Sequence, residues 1–157
     1  MLFRSFVARG NPLNIRTVDD LARAHVRFVN RQASSGSRFL LECMLREAAI
    51  DPQRIHGYDL SEYTHAAVAA YVASGMADVG FGVEPPAHRF GLDFVPLATE
   101  RYMLVCREAD LPRAGVQHAI SVLRSTAYQQ MVNALPGYRV EQGGEVQTLA
   151  EAFPNAS

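Results

Sequence analysis

The sequence predicts an α/β fold with a mainly parallel sheet, and three observations support this. An apolar strand over 25–30 runs through a turn of small residues into a helix that has apolar residues at helical spacing as far as Ala49. An Ala-rich helix over 63–75 is followed directly by a short strand over 77–82, and alternating helices and strands are typical of parallel sheets. The 157 residues, 48% of them hydrophobic, suffice for one domain or two small lobes with a packed core.

The other elements follow from turn and capping residues. A strand over 3–8 ends at the turn Gly10-Asn11-Pro12, and Thr17 with two following aspartates opens a short helix to about Ala24. Further along, the pattern predicts a short helix over 85–90, strands over 94–97 and 102–106, and helices over 116–123 and 126–135. The polar tail over 141–157 is expected to lie on the surface.

Composition limits the function classes. The net charge of -1 gives no overall positive field for direct nucleic-acid binding. The amino end is neither a signal peptide nor long enough to span a bilayer, so we expect a cytoplasmic protein with no membrane partner. Cys43 and Cys106 both lie in apolar segments and are expected to be buried thiols rather than a disulfide or a metal pair.

The turn between the first strand and its helix has the chemistry of an anion site. Ser34, Ser35, Gly36 and Ser37 could offer hydroxyls and backbone N–H groups at the positive end of the helix dipole. Arg38 stands in the first helical turn, where the dipole opposes a cation, and a bound anion would explain why it is tolerated. The alternative is that one of these serines simply caps an ordinary helix.

A second helix start is expected at the same edge of the sheet. Thr64 is the predicted N-cap of the Ala-rich helix. Because the carboxyl ends of parallel strands meet at one edge of a sheet, the helices that follow these strands are expected to begin close together. Arg31 or Arg38 could complement the charge of an anion, with Arg38 favoured, or either could pair with an acid such as Glu42. His65 could tune binding with pH, or it could be an ordinary surface residue.

A short strand further along is also expected to end at this edge. Asp78 and the glycines Gly80 and Gly82 fit a strand that ends at a binding cleft. The alternative is that the two glycines only allow close packing of another element.

A longer ordered set of residues closely resembles the periplasmic-binding-protein-like domain that is associated with molybdate. The matching stretches are VRFVNRQ at 26–32, the serine turn with Arg38, GY at 57–58, TH at 64–65, ASG at 73–75, ADVGFG at 77–82, GLDFVPL at 91–97, ERY at 100–102, LPGY at 135–138 and GEV at 144–146. Where many members have Gly-Ser-Gly-Thr-Arg, this chain has Ser-Ser-Gly-Ser-Arg.

The resemblance implies a type II binding-protein fold, in which two α/β lobes joined by two crossing strands close over a ligand. Residues 11–100 would be a complete second lobe, 3–9 and 101–107 the hinge strands, and 112–157 the carboxy-terminal helices and tail. The chain over 1–157 would then be a single truncated domain without the start of the first lobe. Tyr102, at the returning hinge, could lend its hydroxyl to the cleft or merely pack between lobes.

The function that the resemblance implies is non-catalytic sensing of molybdate, tungstate or a related oxyanion, without a cofactor. The ligand-binding residues would be Ser34, Ser35, Gly36, Ser37, Arg38, Thr64 and Tyr102. Partners would be a helix-turn-helix regulator and a second copy of the chain. Two alternatives remain open: a fold remnant that acts as an interaction or dimerisation module, and a domain that binds an organic metabolite. No catalytic triad motif or metal-ligand spacing in the sequence favours an enzyme.

Overall fold

The structure, a computed structural model, describes residues 2–154, with side chains from Ser5 onwards. Expectations for Met1 and for 155–157 lie outside the described residues. The chain divides into two compact units, the first ending at Arg101 and the second beginning at Tyr102. Each unit is described by itself below.

A five-stranded mixed sheet forms the centre of the first unit. Its strands are β1 (Leu2–Val7), β2 (Phe28–Arg31), β3 (Ser61–Glu62), β4 (Val79–Val83) and β5 (Asp93–Thr99). The strand order is β3-β2-β4-β1-β5. β2 runs parallel to β3 and β4, whereas β1 is antiparallel to β4 and β5. The predicted α/β class with parallel pairing is therefore confirmed, and one central strand runs the opposite way.

Three helices connect these strands: α1 (Gly36–Glu47), α2 (His65–Ala73) and α3 (Glu84–Arg89). α2 begins at the predicted cap, Thr64, and ends before Gly75, whose φ of 74° is the left-handed conformation that stops helices. Gly91 closes α3 in the same way, with φ of 66°. The predicted helix that Thr17 opens is a shorter 3-10 turn over Val18–Ala22.

The helices cover both faces of the sheet. Successive strand residues point to opposite faces, so Val7 and Phe28 pack in a core with α1, while Phe6 and Val29 pack in a second core with α2 and α3. The glycines of β4 allow α2 to approach closely. A Cβ at Gly80 would stand 2.4 Å from Val68 of α2, too close for two carbon atoms. The packing interpretation of these glycines is thus the one that the structure supports.

Asp78 lies at the amino end of β4, opposite to the edge where we expected it. Its carboxylate accepts hydrogen bonds from the Arg27 side chain at 2.7 and 2.9 Å and from the Arg27 backbone N–H at 2.9 Å. The Arg27 guanidinium holds the pKa of this carboxyl below its usual range. Asp78 therefore forms a structural ion pair with Arg27. The expectation that it lies at a cleft is wrong, because Asp78 precedes the amino end of β4 and the candidate cleft is at the carboxyl end of the parallel strands.

The second unit contains α4 (Ala114–Arg124), α5 (Thr126–Asn133) and the short α6 (Leu149–Ala152). Ser125 caps α5 as predicted, accepting from the Tyr128 backbone N–H at 3.3 Å. Much of the tail is exposed, as expected, although Ala152 is buried. Among the described residues, no helix is both long and apolar enough to cross a bilayer.

The predicted strand over 102–106 is wrong. This segment has no regular secondary structure, and Leu104 and Val105 are 78% and 76% exposed. An apolar run forms a strand only where another strand pairs with it, and no strand in the described part of the chain does so here. Cys106 is exposed for the same reason, against the expectation of a buried thiol, while Cys43 is partly buried. Whether β1 and 101–107 serve as hinges stays a prediction.

Candidate functional site

Two helix N-termini meet at the carboxyl edge of the parallel strands. α1 follows β2 and α2 follows β3, so both helices begin where their strands end. They approach from opposite faces of the sheet, and one contact joins them: Ser37 Oγ lies 3.4 Å from His65 Nε2. The sequence prediction that the serine turn and the Thr64 helix start share one edge matches this arrangement.

Each helix start is capped, yet N–H groups remain open. Ser35 Oγ accepts from the Arg38 backbone N–H at 3.2 Å, and Thr64 Oγ1 accepts from that of Ala67 at 3.0 Å. Each cap satisfies only the third N–H of its helix. Within residues 2–154, the backbone N–H groups of Gly36, Ser37 and Ala66 donate no hydrogen bond. Capping and anion binding are therefore compatible here.

Arg38 has protein partners that explain its position without an anion. Its Nε donates to Glu42 Oε1 at 3.0 Å, and Nη1 donates to the carbonyl oxygen of Tyr58 at 3.2 Å. The guanidinium also stacks over the Tyr58 ring at 3.9 Å. The charge of Arg38 is thus largely balanced by Glu42, which was the alternative that the sequence left open.

Arg31, the last residue of β2, is the other arginine at this edge, and it is buried, with 9% of its surface exposed. Its Nη2 donates to the carbonyl oxygen of Tyr63 at 3.0 Å, and its Nε donates to Gln32 Oε1 at 3.3 Å. Both acceptors are neutral, and no carboxylate of the described residues lies within 4 Å of this guanidinium. Burial lowers the pKa of Arg31, but a guanidinium stays charged at neutral pH.

His65 is neutral in this setting. Burial, and then the positive charge of Arg31, lower the pKa of its imidazole to about 4. The ring packs against β4 at Gly82, where an added Cβ would stand 2.6 Å from His65 Nδ1. A neutral imidazole next to the Ser37 hydroxyl gives the site polar atoms that can donate or accept, without a second full charge.

The structure brings together most of the predicted site residues, but not all. Ser35, Gly36, Ser37 and Thr64 line the two helix starts, and Ser34 is exposed in the turn before them. Tyr102 is the first residue of the second unit and is 73% exposed, and its role stays a prediction. Sequence reasoning named Arg31 but favoured Arg38. The structure pairs Arg38 with Glu42 and leaves Arg31 with neutral acceptors, and which of the two contacts a ligand stays a prediction.

Comparison with known proteins identifies the family. Residues 5–124, more than half of the chain, match the family model of the PBP superfamily domain. The chain belongs to the PBP superfamily. The type II binding-protein-like α/β fold expected from the sequence is thereby confirmed, and small-ligand binding is the function that this fold implies. The link to molybdate is not part of the family description and stays a prediction.

Two relatives of this PBP-superfamily chain are named as uncharacterised proteins. It is 35% identical over 141 residues to YvgK of Bacillus subtilis (strain 168), a match that covers 90% of this chain and 45% of YvgK. It is 33% identical over 110 residues to a protein from the 5′ region of a ferredoxin 2Fe-2S gene in Clostridium pasteurianum, covering 69% of this chain and 97% of that protein. The chain therefore spans about half the length of YvgK.

Solved structures give weaker likenesses. The periplasmic aliphatic sulphonate-binding protein SsuA of Escherichia coli matches with a TM-score of 0.39 and 28% identity, over 54% of this chain and 26% of SsuA. The substrate-binding protein AbpA of an amino acid ABC transporter from Streptococcus pneumoniae, bound to L-arginine, matches with a TM-score of 0.45 and 20% identity, over 64% of this chain and 39% of AbpA. Scores at this level carry no inference about the ligand.

Proposed function

We propose that this chain is a non-catalytic domain that binds a small oxyanion at the carboxyl edge of β2 and β3. The observation that carries the proposal is the meeting of two helix N-termini at an edge where backbone N–H groups donate no hydrogen bond and where the guanidinium of Arg31 has only neutral hydrogen-bond acceptors. Each helix end acts as roughly half a positive charge, and together with one guanidinium they balance up to about two negative charges.

Molybdate and tungstate are the ligands that we propose first. They are tetrahedral dianions, and such ions are held by several hydrogen bonds aimed at one point rather than by a single counter-charge. Ser37, Thr64 and the open N–H groups of α1 and α2 are the donors that we propose for such an ion. We propose further that the occupied domain is read by a transcription regulator, the partner that the family resemblance suggests.

The test is a melting curve of the protein with sodium molybdate, tungstate, sulfate, phosphate or acetate at constant ionic strength. A ligand present at 100 times its dissociation constant adds about 2.7 kcal/mol, which for a chain of this size corresponds to a rise of roughly 5–10 °C. A rise with molybdate or tungstate alone supports the full proposal. A rise with acetate alone favours an organic acid, and no rise with any anion refutes anion binding.

A second candidate, a protein-interaction or dimerisation module, is favoured by the second unit. Neither α4 nor α5 has a buried residue, and apolar side chains elsewhere in the second unit are exposed as well, among them Leu104, Val105 and Leu149. Apolar surface of this kind marks interaction sites. Sedimentation at micromolar concentration tests this candidate: a dimer supports it, and a monomer at every concentration contradicts self-association.

A further inference from the structure

Arg31 is placed unfavourably for a protein without a ligand. The residue is buried as a whole, at 9% exposure, and both hydrogen-bond acceptors of its guanidinium are neutral. Buried charges in proteins are normally paired, because the loss of hydration is costly when no opposite charge compensates for it. Neutral acceptors compensate for only part of that loss.

The position of Arg31 adds a second unfavourable term. Its Nη2 bonds to the carbonyl of Tyr63, the residue just before the cap of α2, so the guanidinium lies at the positive end of that nine-residue helix. Cations are disfavoured there by the helix dipole. Its charge also lowers the pKa of His65, the first residue of α2. Two positive contributions therefore face the same small region, and an anion would relieve both.

We propose that Arg31, and not Arg38, is the binding residue that supplies the positive charge for the oxyanion, with Ser37 and His65 as flanking polar contacts. This inference rests on the proposed function and deepens it. Arg31 has one further nitrogen, Nη1, that makes no hydrogen bond to any described residue. A planar guanidinium with a free N–H edge is suited to oxygen atoms that carry charge, whether they belong to an inorganic oxyanion or to a carboxylate or sulfonate head group.

Arg38 provides the matched control. It stands in the first turn of α1, close in sequence, and it carries the same charge, but Glu42 already balances that charge. Removal of Arg38 therefore alters the local pairing on α1 without removing the unbalanced cation. The two arginines separate a specific role of Arg31 from a general effect of positive charge at this edge.

The experiment is calorimetric titration of wild type, Arg31→Gln and Arg38→Gln with sodium molybdate, sodium sulfate and sodium acetate at one ionic strength. We expect Arg31→Gln to weaken binding of the preferred probe about 10- to 100-fold, since hydrogen bonds between charged groups are of that strength. Arg38→Gln is expected to stay within about threefold of wild type. Equal weakening by both variants, or none by Arg31→Gln, overturns the inference.

Melting of the ligand-free variants separates ligand binding from a structural role. Loss of an uncompensated buried charge is expected to leave the melting temperature of Arg31→Gln unchanged or higher, whereas a residue retained for folding would lower it. If Arg31→Gln does not fold, Arg31→Met decides, because an unbranched apolar side chain fills a buried arginine site while removing the charge: at least tenfold weaker binding supports the inference, and wild-type affinity overturns it. If the wild-type protein binds none of the probes, the proposed function itself is refuted. If wild type and Arg31→Gln bind a probe with equal affinity, only the role of Arg31 is refuted.

Discussion

The stability of the first unit should depend on pH through His65. Because burial and Arg31 lower the pKa of this imidazole to about 4, the folded protein holds it neutral where the unfolded chain, at its ordinary value of 6.5, binds a proton. Above pH 6.5 both states are neutral and the full stability is present. As the pH falls from 6.5 toward 4, the unfolded state alone gains the proton, so stability is lost.

The two pKa values give the size of the effect. Between pH 7 and pH 5, the linkage relation predicts a loss of about 2 kcal/mol from this single group. This is an upper value, because the ring is not fully buried and solvent screens part of the interaction. Replacement by glutamine removes the titration while keeping a polar side chain at the start of α2.

Urea denaturation of wild type and His65→Gln at pH 7 and pH 5 measures this effect. The wild type should lose up to about 2 kcal/mol more than the variant between the two pH values, since all other titrating groups are common to both proteins. Arg31→Gln should reduce the loss, because one of the two causes of the lowered pKa is then absent. Equal pH dependence in wild type and His65→Gln would refute the assignment of a buried neutral imidazole.

Three further predictions concern single residues. Gly57→Ala should destabilise the fold by more than about 1 kcal/mol, because Gly57 has a φ of 91° and a Cβ would stand 2.2 Å from the carbonyl oxygen of Phe28; unchanged urea denaturation would contradict this. Asp78→Asn should lower stability by about 1 kcal/mol at low salt and less at high salt, because it weakens a half-exposed ion pair with Arg27; an effect independent of salt would argue against the pairing. Thr64→Ala should cost about 1 kcal/mol as a lost helix cap, and if its affinity for molybdate matches wild type, the hydroxyl is a cap only.

Local signals made much of the fold predictable. Caps at Ser125 and Thr64 and the stop at Gly75 marked helix boundaries, because their effects depend on residues only a few positions away. The segment over 102–106 was misread because strand formation depends on a distant pairing partner. Asp78 was assigned to the wrong edge of the sheet. Its partner, Arg27, is distant in sequence, so the pairing depends on how β2 and β4 lie side by side in the fold.

The same distinction holds for the candidate site. The serine turn and Thr64 were predictable as helix starts, and the edge they share follows from parallel strand order. The partners of the two arginines were not predictable, since they depend on which side chain reaches an acid in the folded chain. Arg38 finds Glu42 one helical turn away, whereas Arg31 ends a buried strand beside neutral groups.

The most direct test of anion binding at this edge is an amide NMR titration of the wild-type protein with sodium molybdate, with sodium chloride at equal ionic strength as the control. We expect the backbone N–H signals of Gly36, Ser37 and Ala66 to shift most, to saturate together and not to respond to chloride, because these groups donate no hydrogen bond in the protein and belong to two helix starts that are in contact. Shifts that are absent, that never saturate, or that occur mainly away from the starts of α1 and α2 would contradict it.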